Sequence, residues 1–269
     1  MNPFHAIILG IVQGIAEFLP ISSSGHLIVT QRILDIKIED EFLFTFDIVV
    51  HLGSLLAILI VFWADIWKLI KNPFCKMTVL LIIGTIPAVF AGVFLQDIMV
   101  DNLRSGIWLA AAFTLTGFLM MLADSFPPGT KEESEITYLD ALFVGVCQAL
   151  ALPPGISRSG TTITGALSRK IKREAAARYS FLLAIIAIGG AGTLDGVKFI
   201  RGNSAALNEI GAAPMIIGFF TSLIVGYFSI RLLLQLIKVC KLKYFAFYLW
   251  GLAGLITLDY FIIKIFFVV

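Results

Sequence analysis

Charged residues are scarce in this chain. Only 14% of its 269 residues are Asp, Glu, Lys or Arg, whereas an average soluble domain has about 25%. Hydrophobic residues make up 59%, which one soluble core of this size cannot hide. The net charge of +2 is too small to indicate a nucleic-acid partner. The three cysteines lack metal-ligand spacing, which predicts packing residues rather than a metal site.

Long apolar runs take the place of charge. A stretch of about 20 apolar residues is long enough to cross a hydrocarbon core of about 30 Å as a helix. The sequence therefore predicts an all-α polytopic membrane protein, a single membrane domain over residues 1–269 that is surrounded by lipid. Six spans are expected, near residues 44–64, 79–97, 105–124, 176–197, 212–234 and 244–263.

The two halves of the chain resemble each other. When residues 10–25 are laid on residues 145–160, seven of the sixteen positions are identical without a gap. The matches include a Gln and a Ser-x-Ser-Gly group, which are polar and so are hard to explain by shared hydrophobicity. The sequence therefore predicts two internal repeats, residues 1–134 and 135–269.

Each repeat opens with a hydrophobic segment that is too short to cross and is interrupted by Pro and Gly. In the first repeat we expect a helix from a cap at Asn2 to Phe18, a loop at residues 20–24 and a second helix to Leu34. In the second repeat the corresponding parts are residues 140–152, 153–159 and 160–168. Such re-entrant helix-loop-helix segments, in matching positions of two halves, indicate a site between them.

Three full spans per repeat is an odd number, so the second repeat is expected to be inverted relative to the first. Thirteen lysines and arginines fall in residues 65–78, 125–178 and 231–243 when Arg158 is set aside, and six fall on the other side. The positive-inside rule then predicts that both termini lie outside the cell.

Ionisable residues at membrane depth are costly and usually functional. Gln13 and Glu17 are four residues apart and so share one helix face. Their oxygens suit a hard cation, Mg²⁺ or Ca²⁺. The alternatives for Glu17 are an ion pair with Arg158 or a protonated carboxyl group.

Hydroxyl groups and one arginine lie where the second helix of each re-entrant segment begins. A helix N-terminus binds anions, and Arg158 adds a planar fork of donors for phosphate oxygens. Ordinary helix capping is the alternative for the serines. His26, beside this loop, is a candidate to take a proton from a serine or to attack phosphorus. His5 and His51 are interpreted as packing or interfacial residues.

Two motifs carry a resemblance to a known family. Residues 13–26 read QGIAEFLPISSSGH and residues 154–162 read PGISRSGTT. The first is similar to the (E/Q)xxxE motif and following Ser/Gly/His loop of the undecaprenyl-diphosphate phosphatases, the bacitracin-resistance family. The second is similar to their PGxSRSxxT motif. The resemblance extends over nearly the whole chain. It implies removal of the terminal phosphate from an isoprenoid lipid diphosphate, recycling of the cell-wall lipid carrier, and dependence on Mg²⁺ or Ca²⁺.

The resemblance also implies roles for individual residues. The metal-binding positions of the family fall on Gln13 and Glu17, and the catalytic positions fall on Ser23, His26 and Arg158. The remaining polar and glycine positions are expected to bind the substrate: Ser22, Ser24, Gly25, Gly155, Ser157, Ser159 and Thr162. Some members carry Glu where this chain has Gln13, so substrate oxygens and water are expected to complete the metal coordination here.

Several alternatives stay open at this point. Either Ser23 attacks phosphorus with help from His26, or His26 attacks and Ser23 is a ligand. A transporter or flippase of anionic lipid or phosphate substrates is the competing function, because carriers also combine repeats with broken helices. We expect location in the bacterial inner membrane with the site facing the outer leaflet. A homodimer is a further expectation.

Overall fold

The computed structural model describes residues 1–101, 105–202 and 209–267. These residues form eleven α-helices and, within the described ranges, no β-strand. The all-α prediction is therefore confirmed. The helices of the first half are α1 (Pro3–Ala16), α2 (Ser23–Ile33), α3 (Asp40–Val61), α4 (Trp63–Lys71), α5 (Lys76–Asp101) and α6 (Gly106–Ser125). Those of the second half are α7 (Tyr138–Ala149), α8 (Arg158–Ser168), α9 (Arg173–Gly202), α10 (Ala212–Val239) and α11 (Lys243–Leu258).

Five of these helices are long and apolar enough to cross a membrane, which confirms a polytopic membrane protein. The candidate spans are Phe42–Val61, Lys76–Phe94, Gly106–Ser125, Ala212–Val239 and Lys243–Ile263. The sixth predicted span, residues 176–197, lies in the helix α9, but part of it falls outside the residues whose side chains the structure describes, so this span stays a prediction. Charged residues such as Arg173 and Glu174 open α9, and Ala and Gly fill much of it. Helix α9 packs against α3, α5, α8 and α10, and its Tyr179 and Phe181 side chains are fully buried, so it lies at the centre of the bundle.

The two short segments fold as helix-loop-helix units, as the sequence predicts. Helix α1 has 14 residues and α7 has 12. At 1.5 Å per residue they are about 21 and 18 Å long, shorter than the hydrocarbon core. The boundaries differ slightly from prediction. Helix α1 ends at Ala16, and α8 already begins at Arg158 because Ser157 caps it.

The short first helix of each half packs against a long helix of the other half. Helix α1 of the first half packs on α10 of the second, and α7 of the second half packs on α5 of the first. Both contacts need glycine. A Cβ at Gly10 would lie 2.9 Å from the Gly218 carbonyl oxygen, and one at Gly145 would lie 2.5 Å from that of Gly84. Gly10 and Gly145 are equivalent positions of the two halves, and Gly84 and Gly218 occupy matching positions in residues 80–94 and 214–228, so one contact occurs twice. Inversion of one half relative to the other stays a prediction.

One helix was not predicted from the sequence. Helix α4 follows α3 directly and has no buried residue. Trp63 and Trp67 stack on its surface with ring centroids 5.9 Å apart. Tryptophan side chains prefer the membrane–water boundary, so α4 is suited to lie there at the end of α3.

Candidate active site

The tips of the two helix-loop-helix units touch each other. The Gly155 N–H donates to the Ser24 hydroxyl at 3.3 Å, and the Ser159 hydroxyl donates to the Leu19 carbonyl at 3.1 Å. Gly155 has φ +90°, a conformation that favours glycine. A Cβ at Gly25 would lie 2.6 Å from the Phe113 ring and 3.0 Å from the Gly155 Cα. Both glycines therefore permit the close approach of the two loops.

The Glu17 carboxylate lies where these tips meet, in the turn that follows α1. Its side chain is only 5% exposed. One oxygen, Oε1, accepts from Arg158 Nη2 at 2.6 Å. The other, Oε2, accepts from the Ser23 hydroxyl at 2.6 Å and from Gln13 Nε2 at 3.0 Å. The structure thus brings together four of the predicted site residues, and the Glu17–Arg158 ion pair considered from the sequence is present.

Two buried polar atoms of this cluster have no hydrogen-bond partner within the protein: Gln13 Oε1 and Arg158 Nη1. A buried polar atom without a partner costs about 1–3 kcal/mol, so such atoms call for an explanation. One is an acceptor and the other is a charged donor. A cation and an anion arriving together would satisfy both.

His26 lies in α2 one turn after the loop, but it does not bond to Ser23. Its Nδ1 lies 2.7 Å from the Ser22 carbonyl, and its Nε2 lies 2.8 Å from the Tyr248 hydroxyl. Because a carbonyl only accepts, Nδ1 carries the proton and Nε2 accepts from Tyr248 in the neutral ring. In the described structure there is therefore no hydrogen bond between His26 and Ser23 through which His26 could give the serine the direct assistance that was expected. Tyr248, on α11, was missed in the sequence because nothing in its own segment marks it.

His51 was interpreted as a packing or interfacial residue, and the structure places it at the site instead. Its Nε2 lies 3.5 Å from Glu17 Oε2. Its Nδ1 lies 2.6 Å from the Asp47 carbonyl, one turn earlier in α3. A histidine inside a predicted span was a usable signal, because such residues are rare in membrane helices unless they are functional.

Comparison with known proteins identifies the family of this chain. Residues 6–255 match the family described as bacitracin resistance protein BacA. The chain belongs to this family. A Carboxydothermus hydrogenoformans protein named undecaprenyl-diphosphatase is 45% identical over 250 residues, which cover 93% of this chain and 94% of that protein. Undecaprenyl-diphosphatase 4 of Bacillus cereus is 43% identical over 256 residues, covering 95% and 96%. An undecaprenyl-diphosphatase of Halothermothrix orenii is 39% identical over 252 residues, covering 93% and 95%.

The serines of this BacA family member cap helices. The Ser22 hydroxyl accepts from the Gly25 N–H at 3.4 Å, and the Ser157 hydroxyl accepts from the Gly160 N–H at 3.1 Å. Ser22 has φ +73°, an unusual conformation for a residue with a side chain that marks the sharp turn into α2. The capping alternative considered from the sequence is therefore realised at both positions, and the capped N-termini face the site.

The Thr162 hydroxyl also forms its hydrogen bonds within the protein. Its hydroxyl donates to the Arg158 carbonyl at 2.8 Å and meets the Ser180 hydroxyl at 2.6 Å. Ser159 bonds to Leu19, and its hydroxyl also lies 3.2 Å from that of Ser157. These contacts hold the first turn of α8 in place, so both residues support Arg158 in the described structure.

The residues of this BacA family site fit a divalent cation only in part. Among the residues that the structure describes, no three His, Cys, Asp or Glu side chains converge. The Glu17 carboxylate and the unpartnered Gln13 Oε1 supply oxygen donors of the kind that Mg²⁺ and Ca²⁺ prefer. The set fits a cation whose remaining ligands come from the diphosphate and from water.

Proposed function

We propose that this membrane protein is a phosphatase that converts undecaprenyl diphosphate to undecaprenyl phosphate and inorganic phosphate. The observation that carries the proposal is the state of Arg158. One of its terminal nitrogens binds Glu17, and the other is buried without a partner. A buried guanidinium with a free donor is suited to take a phosphate oxygen.

The helix termini favour the same ligand. Helices α2 and α8 both begin at the site, at Ser23 and Arg158. The positive end of each helix dipole and its free N–H groups attract negative charge. Two such ends and one guanidinium match a terminal phosphate group, while the prenyl chain would extend into the surrounding bilayer.

In the reaction that we propose, the Ser23 oxygen attacks the terminal phosphorus, and Glu17 Oε2 takes the serine proton. The new bond is Oγ–P. The bond between the terminal phosphorus and the bridging oxygen breaks, so that undecaprenyl phosphate leaves. Arg158 stabilises charge on the phosphoryl oxygens. Water then cleaves the phosphoserine and releases phosphate. His26 is the rival nucleophile.

A Mg²⁺ or Ca²⁺ ion would be held by Glu17 and Gln13 and would neutralise charge on the diphosphate. In addition, we propose that the protein resides in the bacterial inner membrane with its site open to the outer leaflet, because the charge bias puts the loops rich in Lys and Arg inside. Returning the carrier lipid to use is the route by which it would confer bacitracin resistance.

The test uses detergent-purified protein and undecaprenyl diphosphate with labelled terminal phosphate. We expect phosphate release that needs a divalent cation and stops with EDTA. After acid quenching, label should remain on Ser23, because phosphoserine survives acid and phosphohistidine does not. Substrate binding without release would favour the transporter. Label that is lost in acid and restored by neutral quenching would make His26 the nucleophile.

A further inference from the structure

His51 presents one ring nitrogen to the Glu17 carboxylate and fixes the other on the backbone. Its Nε2 is 3.5 Å from Glu17 Oε2, and its side chain is 28% exposed. Its Nδ1 contacts the Asp47 carbonyl at 2.6 Å. The ring is therefore both accessible from the site and held in one orientation.

That orientation is the one found in metal-binding histidines. A ligating histidine usually donates its second N–H to a carbonyl or carboxylate, which fixes the tautomer and leaves the other nitrogen free for the metal. The Nε2 of His51 faces a carboxylate oxygen, an arrangement that is favourable either with a proton on Nε2 or with a metal cation between the two groups. His26 differs, because the Tyr248 hydroxyl already satisfies its Nε2.

The spacing of the three side chains also suits one shared ion. Two ligands that are each about 2.1 Å from a metal lie roughly 3.0–3.5 Å apart at angles near 90–110°. His51 Nε2 is 3.5 Å and the Gln13 amide nitrogen is 3.0 Å from the same Glu17 oxygen. Rotating the Gln13 amide by half a turn would place its unpartnered oxygen at that position.

We propose that His51 is a nitrogen ligand beside Glu17 and Gln13, and that it makes this site prefer a first-row transition cation over Ca²⁺. Imidazole nitrogen favours such metals, whereas Ca²⁺ selects oxygen ligands. The inference rests on the proposed function, since it concerns the cation of the same site. It changes the expected metal class from a hard cation to a borderline one.

The test is Mn²⁺ binding to tag-free, detergent-purified protein in the absence of substrate. Pulsed electron paramagnetic resonance should detect a directly bound ¹⁴N nucleus in the wild type. His51→Gln should abolish this coupling, raise the Kd for Mn²⁺ about 10-fold or more, and lower the Ca²⁺ concentration that displaces Mn²⁺. His5→Gln and His26→Asn are matched controls that should keep the coupling.

A wild-type protein that binds no Mn²⁺, or binds it without ¹⁴N coupling, overturns the proposal, and this result does not depend on how the variants fold. Coupling that persists in His51→Gln overturns it as well. The proposed function fails separately. A protein that binds Mn²⁺ through His51 but releases no phosphate refutes the phosphatase alone.

Discussion

The two helix-loop-helix units use the same residues for the same structural tasks. In each, the first serine of the loop accepts a hydrogen bond from a glycine N–H three residues later: Ser22 from Gly25, and Ser157 from Gly160. In each, that serine also lies near the hydroxyl two residues on, at 3.4 Å in the first unit and 3.2 Å in the second. What the repeats share is therefore the means of starting a helix at a sharp turn.

Three residues of the site stand at positions where the two units differ. Glu17 corresponds to Leu152, Ser23 to Arg158 and His26 to Thr161. The first unit thus supplies the carboxylate and the hydroxyl, and the second supplies the guanidinium that binds that carboxylate. The two similar units therefore contribute groups of opposite charge to one site.

The largest effect is expected when the two units are made alike at one position of the site. Arg158→Ser copies the residue of the first unit, and Arg158→Lys keeps the charge but removes the fork. We expect both to lower kcat/KM for phosphate release about 10³-fold, because one arginine on a transferring phosphoryl group contributes at least that factor.

The matched control is Arg231→Lys, on α10 over the Tyr227 ring, which should stay within about 3-fold because it makes no transition-state contact. Activity of Arg158→Lys close to that of the wild type would show that charge alone is sufficient and that the fork has no role.

The units also differ at their starts. Asn2 caps α1 and Thr137 caps α7. Where α1 has His5, however, α7 has the fully buried Asp140, which accepts from Lys131 and Arg169 at 2.7 Å each. Burial by itself raises the pKa of Asp140, but the hydrogen bonds from Lys131, Thr137 and Arg169 outweigh it and hold the pKa well below its ordinary value. Asp140→Asn should therefore lower the free energy of unfolding at neutral pH by about 2 kcal/mol, because the two partners are partly exposed.

A carboxylate with a lowered pKa stabilises the fold above its ordinary pKa, and this contribution is lost as the pH falls toward the lowered value. The difference in Tm between wild type and Asp140→Asn in detergent should thus be complete at neutral pH and shrink below about pH 4. Glu132→Gln, in an exposed pair with Lys172, should change Tm little. If the difference in Tm between wild type and Asp140→Asn does not depend on pH, the effect comes from packing and not from the ionised carboxylate.

The shared caps give a smaller effect that should be equal in both units. Ser22→Ala and Ser157→Ala should each lower the free energy of unfolding by about 1 kcal/mol, because each removes the acceptor for a helix N–H group. Ser125→Ala, at the exposed end of α6, is the control and should be near neutral. A large loss at one cap and none at the other would contradict a common structural task.

The smallest expected effect concerns the repeat-related glutamines. Gln13 donates to Glu17 and Ser54, but neither amide atom of the buried Gln148 has a partner within the protein. Gln148→Met should raise the free energy of unfolding by about 0.5–1 kcal/mol by removing the cost of an unsatisfied amide. Gln13→Met should lower it. If both changes destabilise equally in thermal unfolding, Gln148 has a partner such as an internal water.

The sequence was sufficient for features that depend on neighbouring residues. Apolar runs predicted the helices, and Pro20 and the 153–159 loop predicted the interruptions, because these effects act within a few residues. The motifs also indicated that Glu17 and Arg158 share a site.

What only the tertiary structure decided is which distant side chains meet. Tyr248 reaches His26 across 222 positions, and His51 reaches Glu17 from another helix. Neither contact can be recognised from a local sequence pattern. The two partners of each contact are far apart in the sequence, and the packing of α3 and α11, not helical periodicity, brings them together. The sequence by itself determined the helices and the two loops. Packing decided that His51, which was interpreted as a packing or interfacial residue, lies beside the Glu17 carboxylate.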